Sequence, residues 1–126
     1  MRIKFVAQIE PIPFKRPRFG CKKQVFNEAR YTEFKAELGI IARAAMQKHL
    51  YFNELLTGAI RLSVDFYKIK PKNMLIKNWG DIDNHVKAVM DALTGICYAD
   101  DSQVTEIHAA KHFGEPRIEI TLEELK

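Results

Sequence analysis

Apolar residues alternate at the start of the chain. Ile3, Phe5, Ala7 and Ile9 fall on one side, and Lys4, Val6 and Gln8 on the other. That period of two predicts a strand with one buried face, ended by Pro11 and Pro13. From about Glu28 to Leu50 the period lengthens. Tyr31, Phe34, Leu38, Ile41, Ala42 and Ala45 recur three and four apart, the stripe of an amphipathic helix. Ala59 to Ile69 returns to alternation, with Ile60, Leu62, Val64 and Phe66 on one face and Arg61, Ser63, Asp65 and Tyr67 on the other. A second helix is expected from Asp83 to Thr94, with Val86, Val89, Met90 and Leu93 facing the core and Gly95 placed to stop it. Thr105–Phe113 and Arg117–Leu122 read as two further strands. Gly114-Glu115-Pro116 between them reads as the turn of a hairpin. Gln24–Asn27 reads as a short extended piece. The sum is an α+β fold, a mixed β-sheet packed with two α-helices on one face, in a single domain over residues 1–126.

Composition narrows the class. Of 126 residues, 47% are hydrophobic and 29% charged, which suits one globular core and neither a membrane bundle nor a disordered tail. No stretch approaches the ~20 apolar residues of a bilayer span, and Gln8 and Glu10 break the early apolar run, so no secretory signal is expected. A cytoplasmic location follows as the expectation. Two cysteines, Cys21 and Cys97, make no disulfide framework and no zinc pattern. Cys97 sits in an apolar stretch and reads as a core thiol, and Cys21 is assigned no role.

Charge is distributed unevenly. Residues 1–80 hold 16 Lys/Arg against 6 Asp/Glu, whereas residues 81–126 hold 4 against 10. A basic surface favours a polyanion through counterion release. Clustered carboxylates beside it would repel that polyanion unless a divalent metal neutralised them. Two basic segments carry the positive charge. Lys15, Arg16, Arg18, Lys22 and Lys23 sit with Phe14 and Phe19, and Lys70, Lys72 and Lys77 sit with Trp79. Cations of this kind hold phosphates, and a ring can stack on an opened base pair. The same aromatics, Phe14 and Trp79, also read as anchors of a solubilising loop to the core.

The acid-rich segment is Gly80 to Val104. On a helix from Asp83, the residues Asp83, Lys87 and Asp91 stand at i, i+4 and i+8 along the edge of the buried stripe. Asp81 lies just before the helix, near the positive end of its dipole, and Asp100-Asp101 follow after a short apolar excursion. Such carboxylates supply hard oxygen ligands suited to Mg²⁺ or Mn²⁺, the arrangement that phosphodiester hydrolysis uses. The same residues also read as a helix cap at Asp83, surface ion pairs of Lys87 with Asp83 and Asp91, and a turn at Asp100-Asp101. His85 is expected on the flank opposite Lys87, exposed or at an interface. His108 and His112, on one face of a strand, read as a surface pair and not as zinc ligands.

The run Asp81-x-Asp83-Asn84-x-x-Lys87-x-x-x-Asp91-x-Leu93, followed by Asp100-Asp101-Ser102-Gln103-Val104, resembles the RusA family of Holliday junction resolvases, and Pro13-x-x-Arg16-Pro17-Arg18 resembles a motif many members carry after their first strand. The resemblance spans nearly the whole chain. His85 departs from it, standing where members often have an apolar residue. The resemblance implies a phage or bacterial endodeoxyribonuclease in which Asp81, Asp83 and Asp101 bind Mg²⁺ (Mn²⁺ substituting) and Lys87 is the catalytic-site lysine. Asp100, adjacent to Asp101, ranks lower as an assisting carboxylate, and Asp91, on the helix edge, reads as a structural partner of Lys87. The resemblance also implies a four-way DNA junction as substrate and a homodimer that makes paired nicks. Other branched DNA, such as flaps and forks, and a catalytically silent branched-DNA-binding protein are the alternatives.

Overall fold

The structure, a computed structural model, describes residues 1–14, 22–50, 54–70 and 80–125, excluding the side chains of 22–28. Its elements are strand β1 (Arg2–Ala7), helix α1 (Lys22–Gln47), strand β2 (Ile60–Lys68), helix α2 (Ile82–Leu93), a 3₁₀ turn (Asp101–Gln103), strand β3 (Val104–Phe113) and strand β4 (Arg117–Glu124). The expected class holds: two helices and one mixed four-stranded sheet. Residues Gln24–Asn27 belong to α1 and are not extended. Among the described residues, no helix is long and apolar enough to cross a membrane.

The sheet order is β1-β4-β2-β3. Strand β2 pairs antiparallel with β4 and parallel with β3, and β1 pairs antiparallel with β4. The expected β3–β4 hairpin is therefore not formed, because β2 lies between the two strands. The reason is geometric. Three connecting residues reach about 10 Å, the width of two inter-strand spacings, so the link is long enough to step over a strand. The backbone N–H of Gly114 donates to the carbonyl of Lys68 (2.8 Å), fastening the link across the end of β2. Strand β2 gains most from the central place, since Ile60, Leu62, Val64 and Phe66 are all essentially inaccessible to solvent.

Alternation divides the sheet into two faces. Ile3 and Ala7, the four β2 residues, and Ile118, Ile120 and Leu122 point inward and join Phe34, Leu38, Ala42 and Ala45 of α1 in one core. The outer face is polar and ion-paired. Arg61 bridges Glu106 (2.5 Å) and Glu123 (3.2 Å). Arg117 stands over the Tyr67 ring at 3.6 Å, and Tyr67 stacks on His112 at 4.7 Å between centroids. His112 Nε2 lies 2.8 Å from the Asp65 carboxylate.

Helix α2 packs against α1 on one side and against β3 of the sheet on the other. Its buried set is wider than one stripe: His85, Val86, Ala88, Val89, Ala92 and Leu93. This overturns the exposed position expected for His85, whose side chain is fully buried. Its ring meets Phe66 edge-on at 5.3 Å, and Nδ1 lies 3.0 Å from the Asp81 carbonyl. Burial lowers its pKa, with Lys68 and Lys111 acting in the same direction. Gly80 makes room for this packing. It adopts φ +84°, and a Cβ there would come within 3.0 Å of His85 Cε1. At the other end Gly95, also at φ +84°, ends α2 as expected. Replacing His85 with Ala removes a close-packed ring and should lower unfolding free energy by about 2–4 kcal/mol, read from urea denaturation midpoints.

Candidate functional site

Beside α2 lies an open cleft of about 530 Å³, lined by Ile82, Asp83, Val86, Lys87, Met90 and Asp91 of the helix, Asp101 of the 3₁₀ turn, and Ile107 and Ala109 of β3. The helix fold explains its acidic wall. Residues four apart stack on one side, so Asp83, Lys87 and Asp91 form one row beside the buried stripe. The strand explains its apolar wall. Ile107 and Ala109 are in register with Leu62 and Val64 and so face inward, but they lie on an edge strand that the helices cover incompletely. Ile107 is 47% exposed.

The turn that carries Asp101 is rigidly tied. Asp100 accepts the Ser102 backbone N–H (3.2 Å), and Gln103 Oε1 accepts the N–H groups of Asp100 (3.1 Å) and Ala99 (2.9 Å). Gln103 Nε2 donates to the carbonyls of Leu56 and Gly58, pinning the turn to the approach of β2. Asp100 is thus occupied in capping, and the Ser102 N–H foremost holds its carboxyl below the usual range. Asp101 is left to face the cleft. Upstream, Cys97 is fully buried, as expected of a core thiol, and burial pushes its pKa up to about 12. Tyr98 donates to the Met90 carbonyl (3.0 Å), joining this segment to α2.

The helix row makes different contacts from those its spacing suggests. Asp81 is the N-cap residue but forms no side-chain cap bond, and it is not among the residues lining the cleft. Asp83 accepts the neighbouring Asn84 N–H (3.0 Å). Asp91 accepts a hydrogen bond from the Tyr31 hydroxyl of α1 (2.7 Å), and burial together with that bond raises the Tyr31 pKa. Among the described residues Lys87 pairs with neither Asp83 nor Asp91. Its ammonium lies 4.9 Å from the centre of the Phe14 ring. Magnitudes favour this choice, since an exposed i,i+4 ion pair stabilises by about 0.2–0.5 kcal/mol and an exposed cation over an aromatic face by about 0.5–1 kcal/mol. Phe14 is half-buried and packed, the anchoring reading of that residue. Nothing in the spacing signalled its contact with Lys87 or that of Tyr31 with Asp91, because both join segments far apart in the chain.

Three of the four expected catalytic residues, Asp83, Lys87 and Asp101, therefore share one cleft. Among the described residues no three carboxylate, His or Cys side chains gather closely enough to enclose an ion by themselves. Asp83 to Asp91 spans about 12 Å of helix, so the row is too long to close on one point. The donor set still suits Mg²⁺, which keeps several waters and takes one or two carboxylates plus substrate phosphate. Of the expected phosphate-binding residues, Lys70 is exposed beyond the end of β2. Lys15, Arg16, Arg18, Lys72, Lys77, the side chains of Lys22 and Lys23, and also Phe19, Cys21 and Trp79, lie outside the described part.

Comparison with known proteins bears on this arrangement. Over 98% of its length the chain is 29% identical to the protein YqaN of Bacillus subtilis (strain 168), itself uncharacterized, and the match covers 96% of that relative. The family model described as endodeoxyribonuclease RusA matches residues 8–123, which begin just after β1 and take in both helices, the cleft and all but the last residue of β4. A match of that extent makes the chain a member of the RusA endodeoxyribonuclease family.

Proposed function

We propose that the cleft is the catalytic centre of a Mg²⁺-dependent, structure-selective endodeoxyribonuclease that resolves four-way DNA junctions. The observation that carries this reading is the cleft lined together by Asp83, Lys87 and Asp101 in a chain of this family. Asp83 and Asp101 would hold the cation, with waters and a substrate phosphate completing its shell and Asp81, the third carboxylate of the expected set, standing at the helix start outside the cleft lining. Bound there, a divalent ion supplies Lewis acidity to a phosphoryl oxygen and makes water a better nucleophile.

The chain's own groups do the rest. The tied Asp100–Gln103 turn fixes Asp101, and the packed helix fixes Asp83. Lys87 offsets the negative charge that grows on the phosphoryl oxygens. Water oxygen bonds to phosphorus as the bond to the 3′ oxygen breaks, and that oxygen takes a proton. The products carry 5′-phosphate and 3′-hydroxyl ends. The apolar wall of Ile107, Ala109 and Met90 offers a surface for sugar or base rather than for phosphate. The basic segments, Lys15, Arg16, Arg18, Lys22 and Lys23 with Lys70, Lys72 and Lys77, hold the arms of the substrate. A junction with near two-fold symmetry needs two opposed cuts, so the working form is a homodimer, acting in the cytoplasm where its DNA is.

Cleavage of matched four-way junction, fork and linear duplex, with Mg²⁺ and with EDTA, tests the reading. Junction cleavage that requires Mg²⁺ is expected, and equal cutting of duplex would refute the selectivity. Asp83→Asn should lower the cleavage rate at least about 100-fold while junction affinity is kept or tightened, since one charge that repels phosphate is gone. Lys87→Ala should cost about 100-fold in rate with little change in affinity; loss of affinity alone would recast it as a phosphate clamp. Junction affinity should fall steeply with salt, with a log–log slope reduced by about 1 for each basic residue removed.

A further inference from the structure

Phe14 sits where three parts of the cleft's surroundings meet. Its backbone N–H donates to the Asn84 carbonyl in the first turn of α2 (3.0 Å). Its ring lies beneath Lys87 Nζ, and its edge contact with Tyr31 has 5.6 Å between centroids and 73° between planes. Tyr31 holds Asp91 through its hydroxyl, and Lys35 stands over the far ring at 5.0 Å. Lysine, phenylalanine, tyrosine and lysine thus form one continuous run of cation–ring and edge-to-face contacts from α2 to α1, with Asp91 hydrogen-bonded at its side. The Phe14 backbone bond fixes the ring's height along α2, and the Tyr31 contact fixes its tilt.

This arrangement bears on what Lys87 can do. Its own helix offers Asp83 one turn before and Asp91 one turn after, and an ammonium shared with either would lie along the helix surface. Tyr31 already engages Asp91, and the ring face of Phe14 gives the ammonium an alternative that does not neutralise it. We propose that Phe14 is a positioning residue of the cleavage reaction, its ring keeping the Lys87 ammonium presented to the cleft and uncoupled from Asp83 and Asp91. The proposal rests on the nuclease reading of the cleft for its kinetic consequence, but the packing it invokes can be measured without DNA or metal.

Phe14→Leu keeps an apolar side chain and removes the ring face. It is expected to lower the cleavage rate at saturating junction about tenfold with junction affinity unchanged, and Phe14→Tyr should restore the rate. In a Lys87→Met background the Leu substitution should cost nothing further. Equal losses in both backgrounds would overturn the proposal, as would a Leu variant that cuts like the parent. In the DNA-free protein, the Lys87 ε-methylene proton resonances should lie upfield of those of the other lysines and return in Phe14→Leu. If that variant does not fold, the parent spectrum still decides, and unshifted resonances refute the contact of Lys87 with the Phe14 ring. Shifted resonances in a parent protein that cuts no branched DNA would refute the nuclease reading and leave the packing standing.

Discussion

The rotation of α2 about its own axis is the constraint on which the rest depends. Val89 and Leu93 are wholly buried and Val86 nearly so, with Ala88 and Ala92 filling the closest approaches. Each large apolar side chain contributes about 1.5–3 kcal/mol when buried, against the 0–1 kcal/mol of a surface ion pair. Packing therefore sets the helix orientation, and the charges follow. A roll of one residue would turn the helix by about 100° and carry the Asp83-Lys87-Asp91 row out of the cleft. The charged groups of that row stand where they do because their apolar neighbours leave them no other place.

The sheet supports the same result from below. Its inner face is apolar along β1, β4 and β2, and its outer face satisfies its charges locally, through Arg61 with Glu106 and Glu123, and Arg117 with Glu119. Only at edge strand β3 does the inner face run out from under the helices. There Ile107 and Ala109 become the cleft's apolar wall. An incompletely covered edge is thus what makes a cleft at all, and the 3₁₀ turn just before that edge brings Asp101 to it.

Much of this was legible in the chain. Period-two alternation marked β1 and β2 and their buried faces, and the i, i+4, i+8 row placed Asp83, Lys87 and Asp91 on one side of α2. What was not legible depended on contacts between distant segments. A hairpin and a pair of strands split by a third have the same local pattern, so the place of β2 between β3 and β4 had no local signature. A single apolar stripe leaves His85 exposed, whereas α2 is packed from two directions and buries it. Spacing along α2 offers Lys87 and Asp91 partners on their own helix, whereas their contacts are with Phe14 and Tyr31 in distant segments. Gln24–Asn27 carries Val25 and Phe26, whose local preference for extended structure yields to continuation of the long helix.

The antiparallel pairing of β1 with β4 joins Ile3 to Leu122 and Phe5 to Ile120, contacts that span almost the entire chain. Closing so large a loop has a high entropic cost, and topologies built on such contacts fold slowly. The parallel β2–β3 pair under the cleft joins Leu62 to Ile107, a much shorter loop. During synthesis β4 emerges after the other strands of the sheet, so β1 waits without its partner until β4 follows. The longer that state lasts, the longer an unpaired strand edge is open to aggregation, a cost set by topology and independent of the residues that line the finished cleft.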